Sequence, residues 1–573
     1  MSQPKPLKVS RSKRAQSFLQ FGFFAGILLF VNVLANSFYA HLDLTEEKRF
    51  TLTQPTKTLL RGLKDRIYVR VLLGGEYPAG FKRLPAAARD MLEDFRSETG
   101  LIDYTFEDPF EGSNEEVNAR IKALSEEGIY PTDLGINETG QTTRKRAYPV
   151  AVFQFGSRKV PVNLMENNSP VISPDVINNS VQKLEYKFAS ALRRLMIEER
   201  PNIVFTEGHG ELTTQQTMDL ERSLKQFYNT GRVVLDSVFQ LTPDKCALLI
   251  VAKPRSAFSE KDKFKIDQYV MYGGRVIWLV DRLGASLDSL SRRPKFVPMD
   301  YPLNLEDMLF KYGARIQPDL VIDLECTKIP LMTGQIGGQP QFELFPWYFH
   351  PAVLPSGSHR IVKNLDRVEL RFCSSIDTIR TKTPVLKTPI LRSSRYSRLL
   401  FSPMEVGFDM QKQAPDPEKF NKGSQVVGLL LEGVFPSNYE NRVSEEMMAG
   451  LQRAGIAYRN ASVPTRQLVV SDGDVAANFV RPEDKSWLPL GFNKFENQAY
   501  ANKDFMLNAI EYVIDPNGLV EARSREVKLR MLDSVRAKAE KPFWQALNLG
   551  GPLLFLLLFG VAFGWWRKRQ YAR

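Results

Sequence analysis

The sequence predicts an α/β extracytoplasmic body, built on mostly parallel, doubly wound sheet regions, with one transmembrane helix at each end. Three observations carry this. Two long uncharged apolar runs lie near the ends of the 573-residue chain, short apolar strands alternate with amphipathic helices between them, and the positive charge gathers outside both runs. The formal net charge is +12, from 77 Lys and Arg against 65 Asp and Glu. Lys5, Lys8, Arg11, Lys13 and Arg14 precede the first run, while Arg567, Lys568, Arg569 and Arg573 follow the second. These residues account for most of the excess and leave the interior near neutrality. A basic, nucleic-acid-binding body is therefore excluded as an expectation.

The first run, 17–40, has no charged residue, and as a helix it would rise about 36 Å, enough to cross a hydrocarbon core of about 30 Å. A cleaved signal peptide, with Val33 and Ala35 as small residues of a cleavage site, is the alternative. Its apolar stretch would ordinarily be only about 7–15 residues long. The second run, 542–566, carries Trp544, Trp565 and Trp566 near its edges, where interfacial aromatics belong. Basic residues outside both runs place both termini in the cytoplasm by the positive-inside rule, and the interior on the other side.

The expected order is then a basic tail over 1–16, a membrane helix over 17–40, an N-terminal α/β domain over 41–195 and a larger α/β domain over 196–515. A charged helical stalk over 516–541, a membrane helix over 542–566 and a basic tail over 567–573 complete it. In the first domain Arg66–Leu73 reads as a strand. Leu84, Ala88, Met91, Leu92 and Phe95 share one helix face, and Leu101–Glu107 is the next strand. Pro85 suits a first helical turn and Gly100 a helix end.

The larger domain opens on the strand at Asn202-Ile-Val-Phe, which runs into Thr206-Glu-Gly-His-Gly-Glu-Leu212. A helix follows, with Thr213 and Gln216 spaced as a capping box and Leu220, Leu224, Phe227 and Tyr228 on one face. Strands over Arg232–Val238, Ala247–Ala252 and Val276–Val280, and a helix over Ser259–Tyr272, continue the alternation. Residues 330–420 are Pro-rich and read as irregular loops with short strands such as Arg367–Phe372. Gln425–Glu432 and Gln467–Val470 read as buried strands, and Asn502–Ile514 as a helix. Cys246, Cys326 and Cys373 are too widely spaced for a zinc site and read as buried small apolar residues.

Several chemistries lack their motif. There is no GxxxxGK[ST], GxGxxG, HExxH or GxSxG, and the chain has only four histidines. No catalytic residue, metal site or cofactor is expected. Two loops remain as ligand-binding candidates at the carboxyl ends of strands, where open α/β sheets bind ligands. One holds Glu207, His209 and Glu211, with Gly208 and Gly210 permitting close backbone approach. The other holds Asp472 and Asp474, and Asp281 at the end of its own strand completes an acidic rim. The structural alternative is that these are tight βα turns whose acids favour helix N-termini. A hydrolase would also need a Ser or Cys nucleophile near His209, and none is evident.

The chain resembles the gliding-motility-associated ABC transporter auxiliary, or substrate-binding, family GldG of Bacteroidetes. The similarity runs in order through Asp43-Leu-Thr-Glu-Glu-Lys-Arg, Tyr77-Pro-Ala-Gly-Phe-Lys-Arg, Glu207-Gly-His-Gly-Glu-Leu212, Gly273-Gly-Arg-Val-Ile-Trp, Leu309-Phe-Lys-Tyr-Gly313, Ser471-Asp-Gly-Asp474 and Phe543-Trp-Gln-Ala-Leu-Asn548. The resemblance implies a two-pass inner-membrane protein with a periplasmic body, working beside a separate permease and a cytoplasmic ATPase in a transporter linked to gliding motility. It also implies a likeness to a domain of intraflagellar-transport proteins and an unknown periplasmic ligand such as a glycan. A purely mechanical coupler of the gliding or secretion machinery is the first alternative. A periplasmic hydrolase of amidotransferase-like fold is the second.

Overall fold

The computed structural model describes residues 13–37, residues 51–515 apart from short interior stretches (the longest 166–173), and residues 534–571. Two compact units divide the chain, Met1–Arg525 and Glu526–Arg573.

Helix α1, Lys13–Ser37, covers most of the first apolar run. The smaller sheet of the first unit comprises β1 (Ile67–Val71), β2 (Ile102–Phe106), β3 (Val150–Phe155) and β4 (Arg158–Asn163) in the order β2-β1-β3-β4. Helix α2, Ala79–Thr99, crosses from β1 to β2, and a connection of that length allows the parallel pairing observed between them. The remaining pairs are antiparallel. Leu84, Ala88, Leu92 and Phe95 of α2 are all buried in one core with Val69 and Val71. Gly100 ends the helix in the left-handed conformation, φ 65°, which only glycine adopts without cost. Pro85 is not in the first turn as expected. Pro78 precedes the helix and its carbonyl accepts from the Phe81 and Lys82 amides, so the helix starts early and Pro85 lies inside it. Helix α3, Leu184–Met196, packs on this sheet through Phe188, Leu192 and Leu195.

The larger sheet is seven-stranded. Its strands are β5 (Asn202–Glu207), β6 (Asn229–Val234), β7 (Leu248–Ala252) and β8 (Val276–Leu279). Beyond a long ribbon of β9 (Cys326–Ile336) and β10 (Gln339–Val353) come β11 (Val385–Arg392), β12 (Val426–Gly433) and β13 (Thr465–Val470). The order across the sheet is β11-β12-β13-β8-β7-β5-β6. From β13 to β6 every pair is parallel, and β12 alone among the seven runs against its neighbours. Alternate residues of each strand point to opposite faces. Ile250, Ile277 and Leu468 meet Leu220, Phe505 and Ile510 on one face, whereas Val251, Trp278 and Val469 meet Ile266, Tyr269 and Met308 on the other. With helices on both faces, the central strands β7 and β8 are buried on both sides and must be apolar throughout, as Leu-Leu-Ile-Val-Ala of β7 is.

Four local expectations are revised. Helix α4 is only Met218–Leu224. Thr213 and Gln216 form a turn ahead of it, with the Thr213 amide donating to Gln216 Oε1 at 3.0 Å, and Phe227 and Tyr228 lie past its end. Helix α5, Glu260–Met271, does begin at a cap, since Ser259 Oγ accepts from the Asp262 amide. Within 330–420 the prolines do not prevent a ribbon: Pro330, Pro340 and Pro346 sit in the two-stranded β9–β10 ladder. The exposed end of this ribbon, before Trp347, has open edges where a missing N–H is tolerated, whereas its other end is buried and pairs with Val368–Glu369. The strand expected over Arg367–Phe372 shrinks to Val368–Glu369. All three cysteines are free, and Cys326 is half-buried rather than buried.

Helix α6, Asn502–Ile514, has the expected bounds. The second unit is helix α7, Ser534–Tyr571, of which Glu540–Gln570 is 31 residues long and wholly unburied. At 1.5 Å per residue this spans about 46 Å, more than a bilayer core needs. It carries Pro542 and Pro552 in its interior, the second directly after Gly550 and Gly551. Among the described residues this is the one helix long and apolar enough to cross a membrane; α1 contributes a shorter apolar stretch, Gln20–Asn32. The expected stalk over 516–541 falls mostly outside the described residues.

Candidate functional site at the carboxyl edge of the large sheet

Parallel alignment of β13, β8, β7 and β5 puts their carboxyl ends side by side, so the residues that follow each strand share one edge. Asp472 and Asp474 follow β13, Asp281 follows β8, Lys253 follows β7, and Glu207, His209 and Glu211 end or follow β5. The edge separates into two groups.

The first group forms around Lys253. Its Nζ lies 3.2 Å from Asp281 Oδ2 and also binds Asp474 Oδ2. The backbone at Lys253 is left-handed, φ 57°, which turns the side chain back over the sheet end. Gly473 makes room for it, because a Cβ there would sit 2.5 Å from Lys253 Cβ. Asp281 Oδ1 accepts from the Gly473 amide at 2.5 Å. Asp472 Oδ2 accepts from the Arg371 amide at 2.8 Å, and its Oδ1 from the Asp474 amide at 2.7 Å. The Arg371 guanidinium in turn pairs with Glu369 at 2.9 Å, and Glu369 is held by Asn493 and Asn502.

Asp281 and Asp472 are almost completely buried. Burial raises both their pKa values, and for Asp472 the neighbouring Asp474 and Asp281 add to this. Burial opposes the Asp474 carboxylate too, but Lys253 and Arg371 outweigh it and hold its pKa below the usual range. Burial likewise opposes the Lys253 ammonium, and Asp474 and Asp281 more than restore it. His350, buried beside Arg371, is pushed well below its ordinary value, first by desolvation and then by that guanidinium. A cavity of about 10 Å³ lined in part by Glu369, Arg371 and Asp474 adjoins the group, roughly room for a single water. The expected acidic rim thus exists, but as a closed lattice of opposed charges.

The second group is centred on His209. Gly208 (φ 111°) and Gly210 (φ 77°) flank it in backbone conformations that favour glycine. The imidazole stacks on Phe258 with ring centres 3.8 Å apart and planes 8° from parallel. Its Nδ1 is 3.4 Å from Glu211 Oε1 and its Nε2 3.5 Å from Asp262 Oδ2. The His209 amide also donates to Glu211 Oε2 at 2.7 Å. Burial disfavours the charged ring, but the two carboxylates outweigh it and raise its pKa above 6.5. The His209 carbonyl accepts from the Arg255 and Ser256 amides, tying the loop to the segment after β7. Glu207 stands apart from both groups, half in solvent, where it pairs with Arg232 at 3.2 Å.

The six residues anticipated from sequence therefore divide. Asp281, Asp472 and Asp474 come together; His209 and Glu211 form a separate pair; Glu207 faces the opposite edge strand. Lys253, Arg371 and Asp262 were not anticipated. For Lys253 a signal exists, a lysine directly after five apolar strand residues and before Pro254. Arg371 lies in the Pro-rich region and carries none. Among the described residues no group of His, Cys, Asp and Glu could hold a metal ion.

Residues 200–509, which contain the whole carboxyl edge, match the family model described as an ABC-type uncharacterized transport system, an auxiliary component. The chain belongs to this family. Residues 46–154 match a second family, a domain of unknown function designated DUF7088. No curated protein matches the chain. A solved structure, "mmIFT52 N-terminal domain", is similar over 55% of this chain and 97% of that one, at 12% identity and a TM-score of 0.29. The family's matched segment opens two residues before β5 and closes within α6, so it takes in all seven strands of the large sheet.

Proposed function

We propose that this protein is the membrane-tethered, non-enzymatic auxiliary subunit of an ABC transport system, presenting its α/β body on the extracytoplasmic face to a separate permease and ATPase. The observation that carries the reading is the coexistence, on a family member, of a folded body and an apolar helix whose whole length is exposed. An exposed helix of this composition needs lipid or other apolar helices around it. A second crossing by 17–40, with both termini cytoplasmic, would hold the body at both ends and raise its local concentration at the permease. The resemblance to the GldG family makes gliding motility the associated process, and a periplasmic ligand, such as a glycan, its cargo or signal.

The mechanical-coupler reading gains support from one feature. The carboxylates around Lys253 are all engaged by Lys253, Arg371 or backbone amides, which suits a rigid keystone better than an open receptor rim. The hydrolase reading loses support at His209, whose two ring nitrogens face carboxylates that favour the imidazolium over a base poised beside a nucleophile.

Detergent extraction followed by affinity purification tests the central claim. The full chain should co-elute with a multi-span permease and an ATPase, and a variant with 534–573 removed should not. Recovery of the intact chain in the soluble fraction, free of both partners, would overturn it.

A further inference from the structure

A second cavity of the folded body lies away from the carboxyl edge. It is a cleft of about 780 Å³ walled by α3, the turn after α4, and α6. That volume falls in the range of about 300–1,000 Å³ usual for small-molecule sites, which favour junctions between structural layers. Helix α3 lies between the two family-matched segments, 46–154 and 200–509, so neither match includes this wall.

The charges lining the cleft are unevenly satisfied. Arg193 is engaged by Glu511 and Asp515, each at 3.3 Å. Lys503 is engaged by Asp219 at 3.0 Å. Arg194 differs: among the described residues it has no carboxylate partner, and its guanidinium stands 5.4 Å from the centre of the Phe227 ring. It is about half-buried, and the nearby Arg200 adds to the local positive charge. Beside it Phe227, Leu224 and Leu507 supply apolar surface. A planar guanidinium with free donors, held against an aromatic face, is suited to a two-point hydrogen bond with a carboxylate or phosphate.

We infer that this cleft binds a small organic anion, its carboxylate or phosphate on Arg194 and its apolar body against Phe227 and Leu507. The inference does not depend on membrane tethering or on transport. It names a ligand class for the body without using the carboxyl-edge residues.

Calorimetric titration of the full chain in detergent with phenyl phosphate, benzoate, inorganic phosphate and benzyl alcohol tests it. One or both aromatic anions should bind saturably, and which one binds separates a phosphate ligand from a carboxylate ligand. Inorganic phosphate and the neutral alcohol should bind at least about tenfold more weakly. Arg194→Gln should weaken the aromatic anion about tenfold or more, and Arg194→Lys by less, because the charge survives while the fork is lost. Gln226→Glu, on the exposed rim and harmless to folding, should weaken it a few-fold by repulsion. Absence of binding by both aromatic anions at millimolar concentration would overturn the assignment. So would equal affinity of Arg194→Gln and wild type, or inorganic phosphate binding as tightly as phenyl phosphate.

Discussion

The two halves of the carboxyl edge meet the same problem, carboxylates at the ends of buried strands, in different ways. Around Lys253 two aspartates, Asp281 and Asp474, converge on one ammonium, while Asp472 is held beside them by the Arg371 and Asp474 amides, and Lys253, Asp281 and Asp472 are buried. At His209 one titratable ring sits between two carboxylates and is clamped against Phe258. The cation of the first arrangement stays charged at any physiological pH, because it is a lysine whose pKa is raised further. The cation of the second is a histidine, the titratable ring that Glu211 and Asp262 hold above its ordinary value. Elements of one sheet edge can therefore be permanent or conditional, depending only on which cation faces the acids.

The largest expected effect comes from removing the permanent cation. Lys253→Met should destabilise the body by about 3–5 kcal/mol, the usual cost of leaving a buried charge unpaired. Adding Asp474→Asn should recover part of this loss, and chemical denaturation midpoints of the three proteins would measure it. If the single variant were as stable as wild type, the lattice would not hold the edge together, and the contrast with His209 would vanish. Gly473→Ala comes next, at about 1–3 kcal/mol, because the new methyl must displace the Lys253 side chain.

The His209 half should be distinguished by pH rather than by size. Its pKa is raised in the folded protein, so the stabilisation is fully present below the ordinary value of 6.5 and is lost as pH climbs through the raised value. The stability difference between wild type and His209→Phe should thus be larger at pH 5.5 to 6 than at pH 8.5, read from melting temperatures across that range. A difference independent of pH would mean that stacking on Phe258, not charge, is what the ring contributes. The smallest effect is expected at Glu207→Gln, about 0–1 kcal/mol, since the Arg232 pair is partly solvated.

The fold was more legible than the site. Buried parallel strands need unbroken apolar runs, so β5, β7, β8 and β13 announce themselves locally, and Ser259 by its hydroxyl and Gly100 by its left-handed backbone mark helix ends within a few residues. The acids were legible for the same reason, as polar residues at the ends of such runs. Their partners were not. Arg371 meets Asp472 across about a hundred residues of chain, through a region whose prolines obscure its strands. Sheet order, not sequence distance, decides which strand ends adjoin, and this is why Asp281 joined Asp474 while Glu207 went to Arg232. The β9–β10 ribbon is hidden in the sequence because Pro330, Pro340 and Pro346 fall where no third strand pairs; Val368–Glu369 joins β10 only at Ala352 and Val353.

Pro552 has no N–H to give, so the Asn548 carbonyl, four residues back in α7, loses its usual helical donor. Two glycines immediately before it add backbone freedom at the same level. The long apolar helix thus contains a soft joint near its middle, so that a load along it would be taken up there as bending before it could pass through as a straight push.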